Sequence, residues 1–337
     1  MRATSFLALA FAASCLWLAS GQDPATAPSA PVAPFARHAL ADELDCATCH
    51  ATIVDEWATS AHAHAWIDAH YQAELATKQR PESCHGCHIP TPLAEVATHQ
   101  KPPPRKAELE AHEFGVSCLT CHAGPEGAML GPYGAATKAH PTLRDPRFAQ
   151  ERSNELCIGC HATTIGPVIG IARDYVTQPE LAQTYSCVNC HMDEVERSMA
   201  TDANDEPLAP RKGRSHTLHG PLNAEFLAKA FDIVARTEGT GPDARTLVVV
   251  TNAAGHRVPG LLDRRFELVV DALDARGAKL ASTTLVVDQR AFLALNERKE
   301  LVLPVAAEQV RVRATHHARR LPRPVVFLER VLPTQAD

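Results

Sequence analysis

The chain has 337 residues, a formal net charge of −6 at pH 7 and only 5% aromatic residues. The acidic balance argues against nucleic-acid binding, which requires a basic surface. Ten of the 11 cysteines fall into one repeated motif, so no pair remains for a structural disulfide.

Residues 1–21 have the pattern of a secretory signal peptide. Arg2 gives a positive start, an apolar run extends from Phe6 to Leu18, and small residues precede a predicted cleavage near Gly21. The run is too short to indicate a transmembrane span, and no other segment is apolar enough to leave one in the mature chain. Cys15 offers a lipoprotein anchor as the alternative, although the usual leucine is missing before it. We therefore expect a periplasmic or extracellular protein.

The rest of the chain divides into three predicted segments. They are a Pro/Ala-rich linker over residues 22–36, a motif-bearing domain over 37–221 and a β-rich domain over 222–337. In the motif-bearing domain we expect short helices and long loops around stacked prosthetic groups. Helices are predicted over 52–78, 106–114 and 179–185.

The motif-bearing domain repeats Cys-x-x-Cys-His five times. This is the attachment signature of c-type haem, in which both thiols become thioethers and the next His binds the iron on its proximal side. Cys-x-x-Cys is also a redox pair or half of a zinc site, but neither needs that His. We predict five covalently bound haems c. The thioether cysteines are Cys46, Cys49, Cys84, Cys87, Cys118, Cys121, Cys157, Cys160, Cys187 and Cys190, and the proximal ligands are His50, His88, His122, His161 and His191.

Beyond Pro221 the motifs stop and short segments alternate apolar with polar residues. Such segments separated by turns predict β-strands, and about seven of them in ~115 residues indicate an immunoglobulin-like β-sandwich. The predicted strands are Phe231–Arg236, Arg245–Asn252, Arg265–Leu273, Lys279–Asp288, Glu300–Val305, Gln309–Ala314 and Pro324–Leu332.

The second axial ligand decides whether each iron only carries electrons or also binds substrate. Thirteen of the 18 histidines lie outside the final position of a motif, whereas methionines are few. Bis-His coordination is therefore the expected arrangement. A departure from it at one iron would leave an open face for chemistry.

Several segments form an ordered pattern over about residues 42–220. They are Asp55–His62, Gly115–Pro125, Met129–Tyr133 before His140, Cys187–Met192 and Ser215–Gly220. In this order they resemble the cytochrome c554-related multihaem cytochromes, whose haem packing is shared with hydroxylamine-oxidoreductase-like and nitrite-reductase-like cytochromes. The resemblance implies that His62, His140 and His216 are distal iron ligands.

Two further distal ligands are expected. Asn252–Pro259 contains a Gly-His-x-x-Pro element similar to one in the β-domains appended to such cytochromes, where the His reaches back to a haem, which implies His256 as a ligand. The alternative for His256 is a loop histidine that binds no iron. His112, just before the third motif, is the first choice for the remaining iron. His38, His64, His70, His99 and His219 stay open as alternatives, and His85, inside a motif, is an unlikely ligand.

These features predict a secreted multihaem cytochrome that transfers electrons through mostly bis-His haems. Its expected partners are redox proteins. Self-association into a haem wire is a further hypothesis. The alternative is an oxidoreductase with one five-coordinate haem that acts on hydroxylamine, nitric oxide or nitrite. All five motifs end in His, whereas nitrite reductases use Lys at the active site. A third reading is a subunit of a membrane quinol-oxidising complex.

A basic cluster lies near the C-terminus of the chain. It contains Arg311, Arg313, Arg319, Arg320 and Arg323, together with His316 and His317. We interpret it as one solvated strand face, with docking to haem propionates or to an acidic partner as the alternative.

Overall fold

The computed structural model describes residues 44–105, 115–134, 137–149, 152–164, 170–260, 263–319 and 321–336. These residues all belong to one compact unit. The predicted leader and linker, the helix predicted over 106–114, and the candidate ligands His38 and His112 lie outside them. No helix among them is long and apolar enough to span a bilayer.

Short helices joined by loops make up the first part of the described chain. The helices are α1 (Leu44–Ala58), α2 (Ala69–Leu75), α3 (Glu82–His88), α4 (Cys118–His122), α5 (Asn154–His161), α6 (Asp174–Thr177), α7 (Leu181–Thr184), α8 (Cys187–His191) and α9 (Ala224–Ala228). Two small ribbons accompany them: β1 (Met129–Gly131) pairs in parallel with β2 (Thr142–Arg144), and β3 (Glu194–Arg197) pairs antiparallel with β4 (Arg211–Arg214).

Every Cys-x-x-Cys-His motif lies on one of these helices. Helices α3, α4, α5 and α8 end at the motif histidine, and α1 is kinked at its motif histidine, His50, where φ is −112° and ψ is 34°. Residues three and four apart share a helix face, so one turn presents both sulfurs and the imidazole to the same side. The spacing within each motif thus places its three haem-binding side chains on one side of a helical turn.

The single long helix predicted over residues 52–78 is wrong. The chain forms α1, a 3₁₀ turn at Ala63–Ala65 and then α2. The interruption has a tertiary cause, because the carbonyls of His62 and Ala63 accept hydrogen bonds from the backbone of Val116 and Gly115. A Cβ at Gly115 would lie 2.5 Å from the Ala65 methyl carbon, so glycine permits this close approach.

The last third of the chain is all β. Its strands are β5 (Phe231–Glu238), β6 (Arg245–Asn252), β7 (Arg265–Leu273), β8 (Lys279–Val287), β9 (Arg298–Leu303), β10 (Gln309–His317), β11 (Val325–Pro333) and β12 (Gln335–Ala336). One sheet has the order β12-β5-β6-β9 and the other β11-β10-β7-β8. Apart from the parallel β12–β5 pair, the neighbouring strands of both sheets are antiparallel.

The strand order confirms the predicted immunoglobulin-like sandwich. Strands β5, β6 and β9 occupy the A, B and E positions, and β7, β10 and β11 the C, F and G positions. Alternating residues point inward, as Val310, Val312 and Ala314 do on β10. Among the described residues, twenty buried apolar side chains from both sheets, and from α9, form one core.

The motif-bearing part has no comparable protein core. Its largest described cluster of buried apolar residues consists of Ile158, Ala172 and Tyr175. This contrast confirms the expectation of short helices and loops arranged around something other than their own side chains.

Candidate haem-binding cavity

The motif helices line one large cavity. All ten motif cysteines and all five motif histidines line it. Its volume is 2430 Å³, well above the roughly 300–1,000 Å³ of ordinary small-molecule sites. The cavity therefore has room for several large groups, and it offers each of them two thiols and an imidazole.

Four motif histidines have a second imidazole ring across from them. The ring centroids lie 6.5 Å apart for His50 and His140, and 6.0 Å apart for His161 and His62. They lie 6.1 Å apart for His122 and His216, and 6.3 Å apart for His191 and His256. The four non-motif rings belong to residues that the sequence singled out as candidate distal ligands, and each comes from a distant part of the chain.

Backbone carbonyls fix the orientation of most of these rings. The Nδ1–H of His50 donates to the Met199 carbonyl at 2.7 Å, that of His122 to Leu130 at 2.7 Å, and that of His191 to His219 at 2.6 Å. A carbonyl only accepts, so Nδ1 carries the proton and Nε2 is left as the metal-binding atom. His88 donates in the same way to Ala65.

The non-motif rings of three pairs have the same support. The Nδ1–H of His256 donates to the Arg257 carbonyl at 2.8 Å, that of His216 to Arg214 at 3.0 Å, and that of His140 to Pro141 at 3.3 Å. His216 is further held by Glu56, whose Oε2 accepts its backbone N–H at 2.8 Å. These contacts also leave Nε2 with the lone pair that binding to a metal would require.

Burial keeps six of these imidazoles neutral. It lowers the pKa of His62 to about 4, of His216 to about 4 and of His161 to about 3. It also lowers the pKa of His122, His191 and His256. A neutral imidazole has the free lone pair that a metal needs, so the electrostatics suit iron binding.

Tyr71 lies against the second motif. Its ring stacks on that of His88, with centroids 3.7 Å apart and an interplanar angle of 7°. The Tyr71 hydroxyl is buried and makes no hydrogen bond to the described residues. Burial, followed by the nearby thiols of Cys84 and Cys87, raises the pKa of Tyr71 above its usual range. The surroundings of the second motif thus differ from those of the other four.

Several motifs lie close to one another. Cys160 of the fourth motif is near Cys87 of the second, and Cys157 is near Cys187 of the fifth, since the two members of each pair shift each other's pKa. Cys121 of the third motif is close enough to Cys157 and Cys160 to add to the raised pKa of both thiols. His50 is close enough to His122 to add to the lowering of its pKa by burial, which links the first motif to the third. The fourth motif therefore has three neighbours.

The other candidate histidines have different environments. His64 bonds the Ala58 carbonyl through Nε2 at 2.9 Å, and His219 bonds Asp193 through Nε2 at 2.8 Å. His70 is exposed at the cavity rim, and His99 is exposed away from it. His85 is buried edge-on against Trp66, with ring centroids 5.2 Å apart. No described ring contact pairs any of these five with a motif histidine.

The C-terminal basic cluster does not act as one surface. Arg311 pairs with Asp271 at 2.7 Å, and Arg313 lies 4.0 Å from Glu329, both on strand faces. Arg319 and Arg323 both line a 310 Å³ cavity, and Arg319 also lines the large one. His316 is buried in the sandwich, and Arg320 lies outside the described residues.

The residues of the cavity fit haem and not zinc. Among the described residues that line it, eight are Lys or Arg and three are Asp or Glu, a basic excess that matches haem propionates in an otherwise acidic protein. No three described His, Cys, Asp or Glu side chains converge as a structural zinc site requires. The thiol pairs, opposed imidazoles and cationic lining together are the donor set of multihaem c-type attachment.

Comparisons with known proteins agree. The family model for cytochrome c554 and c-prime matches residues 45–123 and 135–192. A penta-haem cytochrome c552 from Thermochromatium tepidum superposes with a TM-score of 0.58 at 17% identity, over 86% of this chain and 97% of that one. At this identity the likeness establishes the fold.

Other similarities are weaker. The putative ApaA protein from Bordetella pertussis matches 32% of this chain and 96% of its own, at 16% identity and a TM-score of 0.18, which does not establish a common fold. No curated protein sequence matches significantly. The motifs, the cavity and the family match together support a multihaem cytochrome c related to cytochrome c554 in the motif-bearing part of the chain, which an all-β domain follows.

Proposed function

We propose that the protein carries five c-type haems and conducts electrons among them, with at least four of the irons in bis-His coordination. The four opposed imidazole pairs carry this proposal. An iron bound by two imidazole nitrogens at about 2 Å each holds the ring centroids roughly 6 Å apart. The measured separations run from 6.0 to 6.5 Å.

The proposed axial pairs follow from those contacts. They are His50 with His140, His122 with His216, His161 with His62, and His191 with His256. His88 is the proximal ligand of the remaining iron. His112 stays the first candidate for its distal side.

The bound haems supply reversible one-electron exchange at iron. The polypeptide holds them by ten thioether bonds, so that no haem dissociates, and it fixes ligand orientation through the Nδ1–H···O=C bonds. Bis-imidazole coordination closes both faces of an iron to substrate, which favours conduction over catalysis.

The contacts between motifs support a branched route. Motif one neighbours motif three, motif three neighbours motif four, and motif four also touches motifs two and five. Electrons that enter at the first motif would reach two exits. A redox protein docking at any of the three ends would serve as donor or acceptor.

The test is a haem count together with a spin-state measurement on the natively matured protein. We expect five added haem masses and ferric spectra dominated by low-spin iron. Fewer than five added haem masses would contradict the proposal of five haems. Predominantly high-spin iron would contradict the proposed bis-His coordination.

Export to the periplasm or beyond completes the proposal. It is supported by the predicted leader and by the thioether chemistry, which takes place outside the cytosol in c-type cytochromes. Self-association into a longer haem wire remains a hypothesis, to be tested by electron microscopy of the purified protein at high concentration.

A further inference from the structure

The loop that carries His256 is built around one buried amide. Asn252, at the end of β6, is fully buried, and its Nδ2 donates to the carbonyls of His256 and Ala294, each at 2.8 Å, and to that of Leu293 at 3.2 Å. Its Oδ1 accepts the Ala254 N–H at 2.9 Å. One side chain therefore ties the backbone on both sides of Gly255 to the loop that follows β8.

Two tyrosines of the motif-bearing region reach across to the same loops. The Tyr175 hydroxyl donates to the Gly255 carbonyl at 2.9 Å, and the Tyr185 hydroxyl donates to Asn296 Oδ1 at 3.0 Å. Gly255 has a φ of +59°, and a Cβ there would lie 2.9 Å from Tyr185 Cδ1. Glycine is thus required both by the backbone conformation and by the closeness of the tyrosine ring.

The tyrosines rest on the framework of the fourth and fifth motifs. Tyr175 is buried against Ile158, a residue inside the fourth Cys-x-x-Cys. The Asn154 side chain donates to the Tyr185 carbonyl at 2.9 Å and accepts the Cys187 N–H at 2.8 Å. The contact that fixes Gly255 is therefore part of the unit that would attach two neighbouring haems.

The ring of His256 follows its loop closely. Its Nδ1–H donates to the carbonyl of the next residue, Arg257, so the direction of Nε2 is set by the backbone of the loop. Holding the carbonyls of Gly255 and His256 consequently holds Nε2. Tyr175 holds the first carbonyl and Asn252 the second.

We propose that Tyr175 and Asn252 are positioning residues that keep His256 in place across from His191, so that the docking of the β-domain sets the coordination of the fifth haem. This inference rests on the proposed function, in which His256 is the distal ligand of that haem. Neither residue touches the iron. Each acts through the backbone of the ligand loop.

The experiment compares carbon monoxide binding to the reduced holoprotein in matched variants. His256→Ala defines the site, since it should expose one haem equivalent to carbon monoxide. Tyr175→Phe keeps the ring and removes only the hydroxyl. A lost hydrogen bond of roughly 0.5–1.5 kcal/mol corresponds to about a 2- to 10-fold faster binding at that same haem. Asn252→Asp replaces the amide donor by a carboxylate that faces carbonyl oxygens. It should accelerate carbon monoxide binding at this haem more than Tyr175→Phe does.

Thr246→Val is the control for general loosening of the sandwich. Thr246 is buried in β6, donates to the Val305 carbonyl at 2.8 Å and accepts the Ala307 N–H at 2.9 Å, away from the ligand loop. It should lower stability and leave carbon monoxide binding unchanged. The same acceleration in Thr246→Val as in Tyr175→Phe would overturn the positioning role.

Two further outcomes distinguish the positioning role from the proposed role of His256 as a haem ligand. If His256→Ala exposes a haem and Tyr175→Phe binds carbon monoxide at the wild-type rate, the positioning role is wrong and the ligand assignment stands. If His256→Ala exposes no haem, the assignment of His256 fails and the inference fails with it.

Discussion

The imidazoles of His191 and His256 lie nearly parallel, 12° apart, with their centroids separated by 6.3 Å. One ring ends the fifth motif helix, and the other comes from a loop between strands β6 and β7 of the sandwich. The β-domain is thus more than an appendage, because it presents an imidazole to the haem cavity at the distance that an iron between the rings would need.

Replacing His62 should open one haem. His62→Ala leaves His161 without an opposing ring, so we expect one additional haem equivalent of the reduced protein to bind carbon monoxide. His64→Ala is the matched control, since that ring is exposed and bonds only the nearby Ala58 carbonyl. Equal carbon monoxide binding in both variants would rule out the pairing of His62 with His161.

The tight contact around the second motif should be sensitive to a single methyl group. A Cβ at Gly86 would lie 2.3 Å from the Pro102 carbonyl oxygen, so Gly86→Ala must displace either the motif helix or the 101–105 loop. We expect a holoprotein that lacks one haem in a large share of molecules, as measured by intact mass. Gly131→Ala, where a Cβ meets nothing within 4 Å, should retain the full haem count.

The sandwich core should determine the stability of the β-domain independently of haem. Leu268 is fully buried between the sheets, and Leu268→Ala should cost about 2–5 kcal/mol in the free energy of unfolding. Leu280→Ala, at a side chain that is 47% exposed, should stay within about 0.5 kcal/mol of wild type. Urea titration followed by near-ultraviolet circular dichroism measures both, and similar losses would contradict the assigned core.

Stability should fall in mild acid because of His316. Burial, followed by the charge of Arg264, lowers its pKa to about 4, while Asp263 acts in the opposite direction and His317 adds to the lowering. Its Nε2 is buried and makes no hydrogen bond to the described residues. His316 binds a proton more readily in the unfolded chain than in the folded one. The free energy of unfolding is therefore highest above about pH 6.5 and decreases as the pH falls towards 4.

His316→Phe should flatten that pH dependence. His317→Gln, a change at the half-buried neighbouring residue, removes only a lesser contribution to the lowered pKa of His316 and should leave most of the pH dependence in place. Urea midpoints measured between pH 7 and pH 4 make the comparison. Parallel curves for wild type and His316→Phe would show that another group causes the acid sensitivity.

The sequence was sufficient where structure is local. Strands such as Arg245–Asn252 and Arg265–Leu273 match their predicted bounds, because alternation is a property of adjacent residues. The turn between β7 and β8 is also local, since Asp274 Oδ1 accepts the N–H groups of Arg276 and Ala278. The order of the strands confirmed the sandwich.

The sequence could not give long-range relations. Which candidate histidine faces which motif depends on the fold, and the break in the long predicted helix came from Val116 and Gly115, far along the chain. Neither Asn252 nor Tyr175 carried a sequence signal, because their importance comes from the carbonyls that they reach. The partner of His88 stays a prediction, since His112 lies outside the described residues.

The fourth motif, with neighbours in motifs two, three and five, gives the proposed network an unequal tolerance to damage. Loss of a peripheral haem would remove one terminal and leave the others in communication. Loss of the haem at Cys157–His161 would divide the remaining four into isolated fragments. Oxidative damage to the fourth haem would therefore interrupt electron transfer more completely than damage to any other haem.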